Sequence, residues 1–275
     1  MSPPMPWSEQ FGRIYAMKLY TTFLAILAML PLCGCAKEAT TTTKGDTAMN
    51  NSNATDTFTT PGGKKIVITA IKHASLRIQF DGLEIQVDPV GAKCEPATDY
   101  SAFPKADVIL VTHEHFDHFD RDAIETLSKD KTEVIVNLNV RRMLGFGDAL
   151  ANGDSRKLDN GVSIDAVPAY NTTPGRDKFH PEGRDNGYIL TLDGFRIYIA
   201  GDTEDIPEMA SIKDIDIAFL PCNQPYTMTP EQAAKAAKTI KPKVLFPYHY
   251  SETPVQKVAD LLAGSGIDVR IRNYK

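Results

Sequence analysis

Cysteine is scarce in this chain, which has only four among its 275 residues. Cys33 and Cys35 fall in an apolar N-terminal segment, so only Cys94 and Cys222 remain for the globular part. That number excludes a disulfide-dense scaffold, and the spacing of the cysteines matches no zinc finger. Two free thiols are favoured for Cys94 and Cys222, with a disulfide in an oxidising compartment as the alternative.

Positive charge is not in excess either, since 30 lysines and arginines stand against 35 acidic residues and the net charge is −5. This balance gives no support to nucleic acid as the main partner, because nucleic-acid binding needs a basic surface. The sequence also has no convincing serine or cysteine triad, so a side-chain nucleophile is not expected.

Apolar runs long enough to cross a bilayer are missing, because a spanning helix needs about 20 residues. Residues 19–32 form a shorter apolar run behind Arg13 and Lys18, and this pattern predicts a secretory signal over residues 1–35. Met17 is a more natural start for such a signal than Met1, which leaves open a start assigned too far upstream.

The end of the predicted signal, residues 32–35, reads Leu-Cys-Gly-Cys and resembles a bacterial lipobox. The resemblance implies lipidation of Cys35 and anchoring to the bacterial envelope, at the periplasmic face or the outer membrane. Ordinary cleavage to a soluble secreted or periplasmic protein is the alternative. Residues 36–60 have almost no large apolar side chain and are predicted to form a flexible polar tether.

Short apolar segments separated by turn signals predict strands along residues 61–275. The predicted strands are 65–71, 75–80, 83–87, 108–111, 133–136, 163–167, 187–192, 195–199, 215–220, 244–246 and 269–271. Helices are predicted after Asp120, at 140–144, and after the capping boxes that begin at Thr229 and Thr253. Two strand clusters, each followed by helix-and-strand units, predict an α/β sandwich of two sheets with helices outside. The two halves are loosely alike, without a strong repeat.

Three histidines and a carboxylate directly follow the predicted buried strand 108–111: His113, His115, Asp117 and His118. Residues two apart in extended backbone point the same way, so His113 and His115 share one direction. Open α/β sheets place their sites where strands end, and imidazole with carboxylate is what Zn²⁺ and similar ions bind. An inert polar loop is the plain alternative, which so dense a cluster disfavours.

The segment 113–118 resembles the signature of the metallo-β-lactamase-fold superfamily, and other segments match in the same order. Gly201-Asp202-Thr203 resembles the bridging-aspartate motif of the superfamily. Residues 72–75 in the first turn and Asp88-Pro89 after the third strand are similar to the branch of ascorbate-phosphate lactonase and N-acylethanolamine-releasing phospholipase D. The resemblance implies a four-layer αββα sandwich over residues 61–275.

The resemblance also implies a ligand set for two divalent metal ions, with zinc favoured over manganese or iron. His113, His115 and His180 are expected at one ion, Asp117, His118 and His249 at the other, and Asp202 between them. The superfamily usually has a histidine where this sequence has Tyr170, and the nearest histidine is His180 in the following loop. Either residue therefore remains open for the middle position, with His180 favoured.

A pair of cations implies hydrolysis by a metal-bridging hydroxide, which Asp117 would orient or deprotonate. The branch resemblance favours a lactone, ester or phosphodiester of a small molecule or a lipid. A β-lactamase or nuclease of the same fold, or a non-catalytic metal-binding envelope lipoprotein, is the alternative. Candidate substrate-contacting or ligand-supporting residues are His73, Asp88, Tyr170, Asn171 and Tyr226, and the oligomeric state stays open.

Overall fold

The computed structural model of this protein describes residues 55–274. The predicted signal, the lipobox-like segment with Cys35, and residues 36–54 of the predicted tether lie outside the described residues and stay predictions. Among the helices of the described part, none combines the length and apolarity needed to cross a membrane. Cys94 and Cys222 are both free thiols, as the sequence favoured.

The first half of the described chain forms one mixed seven-stranded sheet, with its strands in sequence order. Strands β1 to β4 pair antiparallel, and β5, β6 and β7 are added in parallel. The strands are β1 (Thr55–Thr59), β2 (Lys65–Lys72), β3 (Ser75–Phe80), β4 (Leu83–Val87), β5 (Val108–Val111), β6 (Glu133–Val136) and β7 (Asp148–Ala149).

The second half forms another seven-stranded sheet with the same pairing scheme. Strands β8 to β11 pair antiparallel, and β12, β13 and β14 follow in parallel. Its strands are β8 (Ser155–Lys157), β9 (Ser163–Ala169), β10 (Asp185–Leu192), β11 (Phe195–Ile199), β12 (Ile217–Pro221), β13 (Val244–Tyr248) and β14 (Asp268–Val269). The loose likeness of the two halves in sequence is thus a shared topology in the structure.

Four α-helices flank the sheets in the described part: α1 (Arg121–Leu127), α2 (Leu138–Leu144), α3 (Pro230–Ile240) and α4 (Gln256–Leu261). Asp120 caps α1, and Thr229 forms the predicted capping box with Gln232 at the start of α3. The capping box predicted at Thr253 is wrong, because α4 begins after Val255 without a side-chain cap. The two mixed sheets with flanking helices confirm the predicted αββα sandwich.

Strand β5 is buried on both faces, which explains its uninterrupted apolar sequence. Val108 and Leu110 join the larger core, which contains side chains of both sheets. Ile109 and Val111 join a second core with residues of α1 and α2. Each such side chain contributes about 1.5–3 kcal/mol by burial. Because both faces of β5 pack against apolar residues, the polar residues of this segment come only after the strand ends.

The tether boundary predicted at residue 60 is wrong, because residues 55–59 form β1 and pair with β2. The Phe58 ring lies 5.9 Å from the ring of Phe195, and Asp56 bonds Arg270 at 3.0 Å and Arg272 at 2.7 Å. A mostly polar composition made this segment look unable to pack. The side chains that pack on it, Phe195, Arg270 and Arg272, lie more than a hundred residues away in sequence, so local pattern does not reveal them.

Replacing Asp56 with alanine is expected to lower the free energy of unfolding by about 2 kcal/mol, because charge-assisted hydrogen bonds to two arginines are lost. The matched control is Glu125→Ala, which removes the exposed Arg121–Glu125 pair of α1 and should change stability by no more than about 0.5 kcal/mol. Urea unfolding of the chelator-treated proteins measures both. Equal values for the two variants would mean that the arginines do not anchor β1.

Gly201 turns the chain just after β11 with φ at +65°, in the left-handed region that favours glycine. A Cβ built there would lie 2.7 Å from the carbonyl oxygen of Asn186 and 3.3 Å from Cβ of Thr112. The Gly201 amide donates to the Tyr248 hydroxyl at 3.0 Å. This close approach brings residue 202 beside the segment that follows β5.

Gly201→Ala is therefore expected to lower the free energy of unfolding by about 3 kcal/mol, from left-handed backbone strain plus the steric clash. Gly161→Ala provides the control, because Gly161 has φ +86° with open space around it and should cost only about 1 kcal/mol. Thermal and urea unfolding compare the two. A Gly201→Ala protein as stable as Gly161→Ala would contradict the steric argument.

Candidate metal centre

Every histidine and aspartate predicted as a metal ligand lies at or beyond a strand end or in the loop before β10. The segment 112–118 follows β5, Asp202 follows β11, and His249 follows β13. His180 lies in the loop that enters β10, and His73 occupies the turn between β2 and β3. The structure brings these side chains from both sheets to one place, as expected where strand ends of two sheets meet.

His113, His115, His180 and Asp202 form the first cluster, in which one potential ligand atom of each residue lies within 4.8 Å of the others. Nε2 of His180 lies 3.3 Å from Oδ2 of Asp202, and Nε2 of His113 lies 3.9 Å from the same oxygen. His113, His180 and Asp202 are buried. Three imidazoles and a carboxylate are a complete donor set for one Zn²⁺-type ion.

His73, Asp117, His118 and His249 form the second cluster by the same criterion. Nε2 of His249 lies 3.5 Å from Oδ2 of Asp117 and 3.3 Å from Oδ2 of Asp202. Nε2 of His118 lies 3.3 Å from Oδ1 of Asp202. The Asp202 carboxylate therefore faces both clusters, which is the arrangement expected of a bridging ligand.

Asp88 supports the second cluster from behind, at the end of β4. Its Oδ2 lies 2.8 Å from Nδ1 of His118, and its Oδ1 accepts from the Thr112 amide at 2.8 Å. The Thr112 hydroxyl donates to Oδ2 of Asp88 at 2.7 Å and lies 3.0 Å from Nδ1 of His113. An outer carboxylate of this kind fixes the tautomer and orientation of a ligating imidazole. The sequence predicted a supporting role for Asp88. It did not predict one for Thr112, whose only distinguishing feature in the sequence is its position between the buried strand and the histidines.

His180 has a matching support in Asp185, which the sequence reasoning also missed. Oδ2 of Asp185 lies 3.1 Å from Nδ1 of His180, and Arg184 holds the carboxylate with two hydrogen bonds of 2.7 and 2.9 Å. Asp185 is the first residue of β10, but the sequence predicted this strand only from residue 187, so the one available signal was an acidic residue just before a predicted strand. The imidazole of His180 is thereby aimed at Asp202.

Tyr170, Asn171 and Tyr226 do not join either cluster. The Tyr170 hydroxyl donates to the Glu208 carboxylate at 3.0 Å, away from Asp202. The Asn171 side-chain amide donates to the Tyr226 carbonyl at 2.7 Å, and the Tyr226 ring packs on Phe179 at 5.0 Å. These residues hold the loop that carries His180. The structure thus places His180, and not Tyr170, beside His113, His115 and Asp202 in the first cluster.

Mutual electrostatics dominate the cluster when no cation balances its charges. Burial and the neighbouring imidazoles of His118 and His115 hold the pKa of His113 well below its usual range. Burial opposes charge on His249, but the carboxylates of Asp202 and Asp117 raise its pKa to about 9. Burial likewise opposes charge on Asp202, yet the neighbouring histidines hold its pKa well below the usual range. Protons held in this way must leave when a metal ion binds, so binding weakens as the pH falls.

Several buried nitrogen and oxygen atoms of the two clusters make no hydrogen bond to each other and are available to bind a cation. Within residues 55–274, the buried side-chain atoms that lack a hydrogen bond include Nε2 of His113, Nε2 of His118, both ring nitrogens of His249 and Oδ1 of Asp202. They lie close together but are misaligned for hydrogen bonding. Unsatisfied buried polar groups cost about 1–3 kcal/mol each, so convergent lone pairs of this kind indicate metal binding. The residues present therefore fit a pair of metal ions.

Comparison with known proteins agrees with this geometry. A family model described as the beta-lactamase superfamily domain matches residues 67–249, which include every residue of the two clusters. The chain is 32% identical over 197 residues to a UPF0173 metal-dependent hydrolase of Thermococcus kodakarensis, covering 69% of this chain and 86% of the relative. It is 31% identical over 264 residues to one of Polaromonas, covering 86% and 88%.

Solved structures show the same relationship. A chain from Parabacteroides distasonis, described as a metal-dependent hydrolase, is 58% identical with a TM-score of 0.78, covering 81% of this chain and all of that one. A metallo hydrolase from Ignicoccus hospitalis is 27% identical with a TM-score of 0.64, covering 76% and 95%. The chain therefore belongs to the beta-lactamase superfamily and is a metal-dependent hydrolase with the metallo-β-lactamase fold.

Proposed function

We propose that this hydrolase holds two divalent metal ions, one in each cluster, and cleaves a lactone, ester or phosphodiester. The observation that carries the proposal is the placement of Asp202. Its two oxygens lie within 3.3 Å of Nε2 of His118, His180 and His249, so one carboxylate is shared by both clusters. Two such ions, about 3.5–4 Å apart, would supply an acidified water and Lewis-acid stabilisation of a carbonyl or phosphoryl oxygen.

Asp117 is the residue best placed to act on the attacking water and its proton. Its side chain is 21% exposed, whereas those of His118 and Asp202 are at most 3% exposed. The carboxylate therefore lies where the cluster opens to solvent and substrate. Burial opposes its charge, but His118, His249 and His73 hold its pKa well below the usual range, so it is ionised at neutral pH. An ionised carboxylate at this edge can accept a hydrogen bond from the water and hold it in line.

One exposed aromatic side chain next to Asp117 in the chain supports a substrate with a hydrocarbon part. Phe116 lies between His115 and Asp117 in the metal-binding segment and is 58% exposed. A large exposed aromatic side chain next to a catalytic group contributes binding energy to an apolar substituent. This favours a lipid or an apolar small molecule over a polar polymer. The resemblance of residues 72–75 and Asp88 to the lactonase and phospholipase D branch supports the choice of bond.

Metal content tests the two-ion proposal directly. The wild-type protein, refilled with Zn²⁺ after chelation and dialysed, is expected to retain two ions per chain by mass spectrometry. His180→Ala should lose about one ion, because the first cluster is left with two imidazoles and Asp202. Tyr170→Phe is the matched control and should retain both ions, since the Tyr170 hydroxyl bonds Glu208. Loss of metal from Tyr170→Phe but not from His180→Ala would reverse the assignment of the middle ligand.

Activity tests the chemistry on a panel of lactones, aryl esters and phosphodiesters, each with a short and a long alkyl chain. Asp117→Asn preserves the shape of the side chain but removes its charge. It is expected to lower kcat at least about 100-fold on whichever class is hydrolysed, as for loss of a general base. Metal content is measured in parallel to separate lost ions from lost chemistry. Unchanged turnover by Asp117→Asn, or no hydrolysis of any class by metal-loaded wild type, would contradict the proposal.

A further inference from the structure

His73 lies in the turn between β2 and β3, yet its ring belongs to the second cluster. Its Nε2 lies 3.1 Å from Oδ2 of Asp117, and its ring centroid lies 3.8 Å from that of His249. The side chain is 21% exposed, on the same open edge as Asp117. A turn residue that served only the hairpin would have no need of a side chain directed into this cluster.

The backbone around His73 is built to hold that direction. Its φ is +44°, a left-handed conformation that costs a residue with a side chain about 1 kcal/mol or more. The His73 amide donates to the Tyr274 carbonyl at 2.6 Å, and the His73 carbonyl accepts from the His249 amide at 3.1 Å. His249 is itself left-handed, with φ +47°. Strained backbone fixed by hydrogen bonds on both sides is typical of a functional position.

The distances in this cluster are those of ligands around one ion. Donors that bind an ion at about 2.1 Å are about 3.0 Å apart at a right angle and about 4.2 Å apart when opposite. Nε2 of His73 and Oδ2 of Asp117 are 3.1 Å apart, and all four donors of the cluster lie within 4.8 Å of one another. The Asp202 carboxylate adds a fifth ligating residue, with Oδ1 at 3.3 Å from Nε2 of His118 and Oδ2 at 3.3 Å from Nε2 of His249.

We propose that His73 is a ligand of the second metal position, an inference that rests on the proposed two-ion function. This position then offers three imidazole nitrogens and two carboxylate oxygens, whereas the first offers three imidazoles and the shared Asp202. Five protein donors exceed the four that Zn²⁺ prefers. The second position therefore suits an ion that accepts five or six nitrogen and oxygen ligands, of the Fe²⁺, Mn²⁺ or Co²⁺ class. The two positions of this protein are unequal.

The test uses Co²⁺ added stepwise to the chelator-treated protein, with uptake measured by dialysis and coordination number by the visible absorption spectrum. In wild type, one Co²⁺ should show the weak absorption of a five- or six-coordinate ion. His73→Asn removes the imidazole but keeps a residue that tolerates left-handed backbone. It should lower the affinity of one of the two positions at least tenfold and leave the other unchanged. Asp81→Asn is the control, since Asp81 is also left-handed, at φ +49°, but lies in an exposed turn.

The outcomes separate this inference from the proposed function. Two ions bound by wild type, with unchanged affinity and spectrum in His73→Asn, would overturn the ligand role of His73 and leave the two-ion function standing. Fewer than two ions bound by wild type would overturn both. If His73→Asn does not fold, the wild-type spectrum still decides: two strongly absorbing four-coordinate Co²⁺ ions would contradict a five-donor position.

Discussion

The carboxylate of Asp202 is the feature on which the rest of the site depends. It is nearly inaccessible to solvent, and three imidazole nitrogens lie within 3.3 Å of its oxygens. A buried carboxylate among histidines is favourable only if cations, protons or metal ions, neutralise it. In the folded chain protonated histidines would supply this charge, and bound metal ions would replace the protons. The geometry of Asp202 therefore connects the two clusters through one shared carboxylate.

The fold explains how donors from distant parts of the chain reach Asp202. Each half of the described chain contributes one sheet with the same pairing scheme, so strand ends of both sheets approach each other. The segment after β5 comes from the first sheet, and Asp202 and His249 follow strands of the second. Apolar side chains occupy both faces of β5, so its polar residues are confined to the end of the strand. Apolar packing around β5 thereby places the histidines and Asp117 at the end of the strand.

A second layer of residues orients the donors. Asp88 faces the outer nitrogen of His118, and Asp185 faces that of His180. Three non-glycine residues around the second cluster, His73, Asp88 and His249, have positive φ. Such conformations are stable only where the surroundings hold them, here by hydrogen bonds to Thr112, Tyr274 and the histidines themselves. These hydrogen bonds fix the directions in which the donor side chains point.

The amino-acid sequence by itself determined the elements whose signals are local. These include the caps at Asp120 and Thr229 and the histidine-rich segment after β5. Their residues act through neighbours only a few positions away, so periodicity and turn chemistry identify them. The family likeness extended this to Asp202 and His249, which follow strands in the expected order. It left the middle position open between Tyr170 and His180, ten residues apart in one loop.

Only the tertiary structure decided the remaining points, because each depends on contacts between segments far apart in sequence. Residues 55–59 pair with β2, and Phe195 and two arginines near the C-terminus pack on this strand. His180 reaches Asp202 because Asp185 and the loop around Asn171 hold it there, while Tyr170 turns toward Glu208. His73 joins the second cluster because Tyr274 and His249 hold its backbone. No local pattern encodes these distances, since they depend on how the folded chain packs in three dimensions.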